Sequence, residues 1–110
     1  MDLTVSTPVF VVATATPRPG RLADIVDAYA QVTPAVHAEA GCELYAVHSD
    51  DEVVIIVERW TSQSDLNAHA VGEPLIELKR LLGDSLAAPI EVRVLESHVF
   101  GDPAKGELGL

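Results

Sequence analysis

Five consecutive β-branched residues, Val53 to Val57, stand near the middle of this chain. The run is too short and too branched for a helix, and an apolar run without alternation is typical of a strand buried on both faces. Because side chains along a strand alternate between its faces, Glu58 and Trp60, which follow the run, point to the same side. The sequence therefore predicts a buried strand that brings a carboxylate and the chain's single Trp to one end.

A helix is predicted directly after this strand. Ser62, with Asp65 three positions later, is close to a capping box and marks the helix start. The helix carries Asn67 and His69, and an imidazole can take up or return a proton near neutral pH. We therefore predict that His69 is catalytic, with Glu58 as a second catalytic group whose pKa is raised by partial burial. A histidine held by a backbone partner and a glutamate paired with an arginine are the alternatives.

Three residues are candidates for contact with a small-molecule substrate. Trp60 lies beside the carboxylate, Tyr45 could donate a hydrogen bond to a substrate oxygen, and Asn67 lies on the predicted helix. A core position for Trp60 and cross-strand packing for Tyr45 are the alternatives. The four histidines show no His-x-x-x-His spacing, and the chain has no glycine-rich phosphate loop and no CxxC pair. We therefore expect neither a metal nor an organic cofactor.

Hydrophobic periodicity and turn residues predict an α+β domain over residues 1–100, followed by a loop-like C-terminal tail over residues 101–110. The order of elements is that of a ferredoxin-like βαββαβ sandwich. The predicted elements are a strand over Pro8–Thr16, a helix over Arg21–Ala38, strands over Cys42–Ser49 and Val53–Trp60, a helix in two pieces between Ser62 and Gly83, and a last strand over Ile90–Phe100.

The first and third predicted strands are apolar at nearly every position, although helices can cover only one face of such a sheet. A second copy of the same sheet, packed face to face, would cover the other face. We therefore expect a homodimer. In the tail, Leu108 and Leu110 provide enough apolar surface to dock on the neighbouring subunit, and a frayed terminus is the alternative.

Charge argues against several classes of partner. Seventeen acidic residues against seven basic ones give a formal net charge of −10, which repels nucleic acids and anionic membrane surfaces.

Cys42 is the only cysteine, so no internal disulfide can form. The N-terminal residues lack the basic and apolar regions of a secretion signal, and a cytoplasmic protein is expected.

Three groups of residues follow one another along the chain in a characteristic order. They are Pro19-Gly20-Arg21 after the first strand, Gly41-Cys42-Glu43-Leu44-Tyr45, and Glu58-Arg59-Trp60 with Ser62, Leu66 and His69. In this order they resemble the antibiotic biosynthesis monooxygenase family over about residues 9–99. The resemblance implies a dimeric α+β barrel fold. Similar members oxidise anthrones or quinols to quinones with dioxygen and with neither a metal nor a flavin, because the deprotonated substrate itself reacts with oxygen.

The same resemblance implies roles for individual residues. His69 takes the helix position that faces the pocket, Trp60 forms a wall and Tyr45 is a possible donor. The chain departs from the family at Pro74, where many members have a second histidine. The helix from 73 to 82 also lacks the axial histidine of haem-degrading relatives. A non-catalytic dimeric ligand-binding module and an isomerase or haem-binding relative are therefore the alternatives to a cofactor-independent monooxygenase.

Overall fold

The computed structural model describes residues 7–109. The predicted order of strands and helices is confirmed. The longest helix has 16 residues, and none in the described part of the chain is both long and apolar enough to cross a membrane. The elements are β1 (Val9–Ala15), α1 (Leu22–His37), β2 (Cys42–Ser49), β3 (Val54–Trp60), α2 (Gln63–Ala70), α3 (Glu73–Leu82), β4 (Glu91–Leu95) and α4 (Pro103–Gly106).

The four strands form one antiparallel sheet in the order β2-β3-β1-β4. With helices following β1 and β3, this is the predicted ferredoxin-like arrangement. β2 and β3 form a hairpin. Its turn is closed by the Asp50 carboxylate, which accepts hydrogen bonds from the backbone N–H of Glu52 at 2.8 Å and of Val53 at 2.9 Å. The hairpin aligns Tyr45 opposite Glu58.

The helices pack on one face of the sheet, called here the inner face. Its buried side chains alternate with those of the opposite, outer face, where Ile55 and Val57 of β3 are half-buried. Within one chain, the prediction that β3 is buried on both faces therefore holds for the inner face, whereas the outer-face residues Ile55 and Val57 are only half-buried. The inner-face residues of β1 and β3 are the partly buried Val9 and the buried Val11, Ala13, Ala15, Val54, Ile56, Glu58 and Trp60.

The C-terminal part of the chain differs from the prediction. The last strand is five residues long rather than spanning 90–100. The helices leave β4 uncovered, since Val92 and Val94, which share the inner face, are 56% and 52% exposed. The tail was predicted as a loop but contains the one-turn helix α4, because the Asp102 side chain accepts a hydrogen bond from the backbone N–H of Ala104 at 2.8 Å.

The tail packs on the outer face of its own sheet. The guanidinium of Arg59, which is buried, donates a 3.0 Å hydrogen bond to the backbone carbonyl of Leu108 and lies 3.5 Å from the Glu107 carboxylate. It also contacts Glu43 at 3.2 Å and lies over the ring of Phe10. The predicted docking of the tail on a neighbouring subunit stays a prediction. Its second anchor, residue 110, and residues 1–6 lie outside the described range.

A hydrogen-bonded junction ties the loop between α1 and β2 to the start of α2. The carbonyl of Gly41 accepts from the Thr61 backbone N–H at 2.9 Å, and the Thr61 hydroxyl donates to the Asp65 carboxylate at 2.7 Å. Ser62 caps α2 by accepting from the Asp65 N–H at 3.1 Å, which confirms the predicted helix start. The junction holds Glu39, two residues before Gly41, against the helix that carries His69.

We predict that Gly41→Ala destabilises the domain by roughly 3 kcal/mol or more. Gly41 has φ of +80°, a conformation that costs an alanine about 1–2 kcal/mol. An added Cβ would also overlap the Asp65 carboxylate and the Thr61 hydroxyl. Denaturant unfolding measures the change in the free energy of unfolding.

Gly20→Ala is the matched control, because Gly20 has φ of +77° and an added Cβ there meets nothing within 4 Å. Gly20→Ala should lower the free energy of unfolding only by the cost of the positive φ angle for an alanine, about 1–2 kcal/mol. Equal losses for the two variants would mean that the crowded junction adds nothing to stability.

Candidate active site

A cavity of about 550 Å³ lies between the inner face of the sheet and the helices. Its volume falls within the roughly 300–1,000 Å³ typical of small-molecule sites. Most of its wall is aliphatic, and it opens on the side of β4, where the exposed Val92 belongs to the lining. The polar lining residues are Tyr29, Tyr45, Glu58, His69 and Lys79.

Glu58, Trp60 and His69 form a compact buried group at the end of β3. The indole N–H of Trp60 donates a 2.9 Å hydrogen bond to Glu58 Oε1, as their shared face of β3 allows. The His69 ring stacks on the indole with 4.5 Å between centroids, and its Nε2 lies 4.0 Å from Glu58 Oε1. Glu58 and His69 are each only 5% exposed. The prediction that Glu58 and Trp60 point the same way is confirmed.

Glu39 completes this group and was missed by the sequence analysis. Its Oε1 lies 2.7 Å from Nδ1 of His69. Because a carboxylate accepts hydrogen bonds, this contact assigns the proton of the neutral imidazole to Nδ1 and leaves the Nε2 lone pair directed toward Glu58. Glu39 lies in the loop between α1 and β2, where no hydrophobic periodicity indicates which side chains face the core. Its position two residues before Gly41 is the only sequence feature that points to it.

The buried position of Glu58 changes its acidity. Burial, the largest effect, raises the pKa of this carboxyl above its usual value. The hydrogen bond from Trp60 and the positive charge of protonated His69 oppose the increase, whereas the charge of Glu39 adds to it. Glu58 therefore keeps its proton to a higher pH than an exposed glutamate does, and a carboxyl of this kind can exchange protons with a ligand.

Two tyrosines, Tyr29 and Tyr45, belong to the lining of the cavity. Burial raises the pKa of both Tyr29 and Tyr45, and the negative charge of Glu58 adds to the effect. Both phenols therefore stay protonated and can act as donors. The Tyr45 ring also meets the edge of His69, with 5.8 Å between centroids. Tyr29 lies on the apolar stripe of α1, where sequence alone cannot distinguish a lining residue from a core residue.

The structure brings together most, but not all, of the predicted site residues. Tyr45, Glu58 and His69 line one cavity. Trp60 is fully buried and supports His69 from behind, so it is not the predicted wall. Asn67 is exposed and accepts from Gln63 at 3.0 Å, because the helical repeat that buries His69 turns Asn67 toward solvent. Among residues 7–109, no three His, Cys, Asp or Glu side chains form a group that could hold a metal ion.

Comparison with known proteins gives a family and a fold. The chain matches the family model described as antibiotic biosynthesis monooxygenase over residues 8–74. The structure of Rv0793 from Mycobacterium tuberculosis is 23% identical, with a TM-score of 0.78 over 87% of this chain and 100% of that one. That of PA3566 from Pseudomonas aeruginosa is 25% identical, with a TM-score of 0.74 over 84% and 95%. A structure named antibiotic biosynthesis monooxygenase is 17% identical, with a TM-score of 0.74 over 82% and 98%. No curated protein matches significantly.

The raised pKa of Glu58 predicts a pH-dependent effect of Glu58→Gln on stability. The folded protein holds the carboxyl proton more tightly than the unfolded chain does, so this stabilisation is present below the usual pKa of 4.5 and is lost as the pH rises through the folded value. The melting temperature of Glu58→Gln relative to wild type should therefore increase between pH 4.5 and 8. Thermal unfolding across this range measures it.

Glu77→Gln is a control of opposite sign. A hydrogen bond from Arg80 lowers the pKa of Glu77, so its stabilisation is present above the usual pKa and is lost as the pH falls. The side chain of Glu77 is 46% exposed, so solvent screens its interaction with Arg80 and the effect should be small. A melting-temperature difference for Glu58→Gln that does not change with pH would contradict the prediction.

Proposed function

Because the chain belongs to the antibiotic biosynthesis monooxygenase family, we propose that it is a monooxygenase that oxidises a small aromatic or quinol-type metabolite with dioxygen, using no metal or organic cofactor. The substrate binds in the cavity between the helices and the inner face of the sheet. A cytoplasmic setting is part of the proposal, since a lone cysteine offers no internal disulfide.

The observation that carries the proposal is the orientation of His69 by Glu39. An imidazole whose Nδ1–H is held by a carboxylate presents Nε2 as a proton acceptor, and His69 lies in the cavity wall. This is the arrangement in which a general base is oriented by a third group. Glu58, next to Nε2, provides a second site for the proton.

In the proposed reaction, Nε2 of His69 removes a proton from a phenol of the substrate. The resulting anion is electron-rich enough to react with dioxygen, so the protein supplies a base, a largely apolar cavity and hydrogen bonds to the anion. The hydroxyls of Tyr29 and Tyr45 are the donors. When a ring CH₂ is oxidised, one oxygen atom becomes the carbonyl oxygen, and the other leaves as water with the two hydrogens.

A non-catalytic ligand-binding module is the second candidate function. It is favoured by the composition of the cavity, whose wall is mostly aliphatic and has few aromatic rings to stack on a polycyclic substrate. Oxygen consumption separates the two candidates, because a binding module takes up the ligand without turnover.

The proposed enzyme is a homodimer. On the outer face, Val12 pairs with Val57 and Thr14 with Ile55, and these side chains are half-buried in one chain. Nothing in residues 7–109 covers them as the helices cover the inner face. A second copy, related by two-fold symmetry, would bury the same residues from both chains.

We predict that His69→Gln lowers the turnover of an anthrone by about 10² to 10⁴-fold, the range expected for loss of a general base. Glutamine is chosen because His69 is buried, so an alanine would leave a cavity and an unpaired Glu39. Oxygen-electrode rates, corrected for uncatalysed autoxidation, measure the change.

Two further variants serve as comparisons in the same assay. Glu39→Gln should lower turnover by less, because the base remains but its orientation is weakened. Asn67→Ala, on the exposed face of the same helix, should keep the wild-type rate. A wild-type rate in His69→Gln would show that the base is another group, and the binding module would then become the leading function.

We also predict that Ile55→Asp converts the dimer to a monomer, because a buried interface would desolvate an unpaired carboxylate. Analytical ultracentrifugation at low micromolar concentration measures the mass. Val71→Asp is the control, since Val71 is 77% exposed and lies after α2, away from the outer face. A monomeric wild-type protein would rule out the proposed dimer.

A further inference from the structure

A charged residue interrupts the apolar stripe of α3. Leu78 and Leu82 of this helix are buried, and Leu75 packs against the core. Lys79 lies four residues after Leu75 and three before Leu82, so it shares their side of the helix. It also belongs to the lining of the cavity, although its side chain is exposed. A lysine where the pattern calls for an apolar residue indicates a constraint other than packing.

Lys79 also differs from most basic residues in having no acidic partner. Within the described part of the chain, Lys79 forms neither an ion pair nor a side-chain hydrogen bond. The neighbouring Glu77 is paired with Arg80 instead. Of the seven basic residues, Lys105 and Arg18 likewise have no acidic partner in the described part of the chain, but neither lines the cavity. The paired arginines are Arg21, Arg59, Arg80 and Arg93, and Arg18 donates to the backbone carbonyl of Leu86.

The polar groups of the cavity therefore fall into two kinds. Tyr29, Tyr45, Glu58 and His69 are buried and suit a phenol or carbonyl oxygen at the inner end. Lys79 lines the cavity but is exposed, so its aliphatic stem can lie along the wall while the ammonium group stays in contact with solvent. No other lysine or arginine lines the cavity in residues 7–109.

We propose that Lys79 selects substrates that carry an anionic group, such as a carboxylate, on the side of the ring system opposite the oxygen that reacts. This inference rests on the proposed function only in assuming that the cavity holds a phenolic ring system. The negative field of a protein with a net charge of −10 disfavours anions in general, so a local cation at the opening is needed to admit one. The contact also orients the ring system with its phenol toward His69.

Binding of a matched pair of ligands tests the proposal without any turnover. The probes are 6-hydroxy-2-naphthoate and its methyl ester, in which the carboxyl group and the phenol lie at opposite ends of the ring system. The two probes share the ring and the phenol but differ in charge. Isothermal titration calorimetry should show that wild type prefers the acid. Lys79→Met keeps the stem and removes the charge, and it should lower the affinity for the acid by about three- to ten-fold while changing that for the ester little. Lys79→Arg should retain the preference.

Lys105→Met is the matched control, because it changes the net charge by the same amount but lies in α4, outside the cavity lining. The preference for the acid should survive in this variant and should weaken at high salt. Equal wild-type affinities for the two probes, no binding of either, or equal effects of the two methionine substitutions would overturn the proposal. A Lys79-dependent preference for the acid, in a protein that takes up no oxygen with an anthrone, would support the proposal while contradicting the monooxygenase function.

Discussion

The burial of a carboxylate at the end of β3 is the constraint to which the surrounding structure is adapted. An ionised glutamate on the inner face costs free energy unless its oxygens are hydrogen-bonded. The indole N–H of Trp60 satisfies Glu58, and the His69 ring then packs on that indole. Glu39 reaches His69 because the Gly41 junction holds its loop against α2. Four side chains from three parts of the chain are thus linked by hydrogen bonds and ring stacking, and two of them, Glu58 and His69, line the cavity.

The two faces of the sheet differ in how their apolar side chains are covered. The inner face buries its aliphatic residues under the helices and leaves a cavity beside the polar group. Within residues 7–109, the outer face is covered only by the tail, which pairs with Arg59 at one end and leaves the middle half-buried. The apolar outer-face residues of β3 would be buried further by the second sheet of the proposed dimer, whereas the buried Arg59 already has its partners within its own chain.

Membership of the family does not decide the reaction, because one fold can support several chemistries. The site has to be judged from its own groups. The histidine that lines the cavity, His69, contacts two carboxylates, those of Glu39 and Glu58. Two protonated tyrosines and the exposed Lys79 complete the polar lining, and the proposed preference for a phenolic, anionic ligand rests on these groups.

The sequence by itself determined the element order, the cap at Ser62 and the shared direction of Glu58 and Trp60, because these depend on local spacing and on the two-residue repeat of a strand. Only the tertiary structure decided that Glu39 orients His69, that Tyr29 lines the cavity and that Asn67 does not. The physical reason is that these outcomes depend on distances between distant segments and on the rotation of a helix against the sheet. No local pattern encodes either quantity, and the short, exposed β4 likewise reflects which strands the helices could cover.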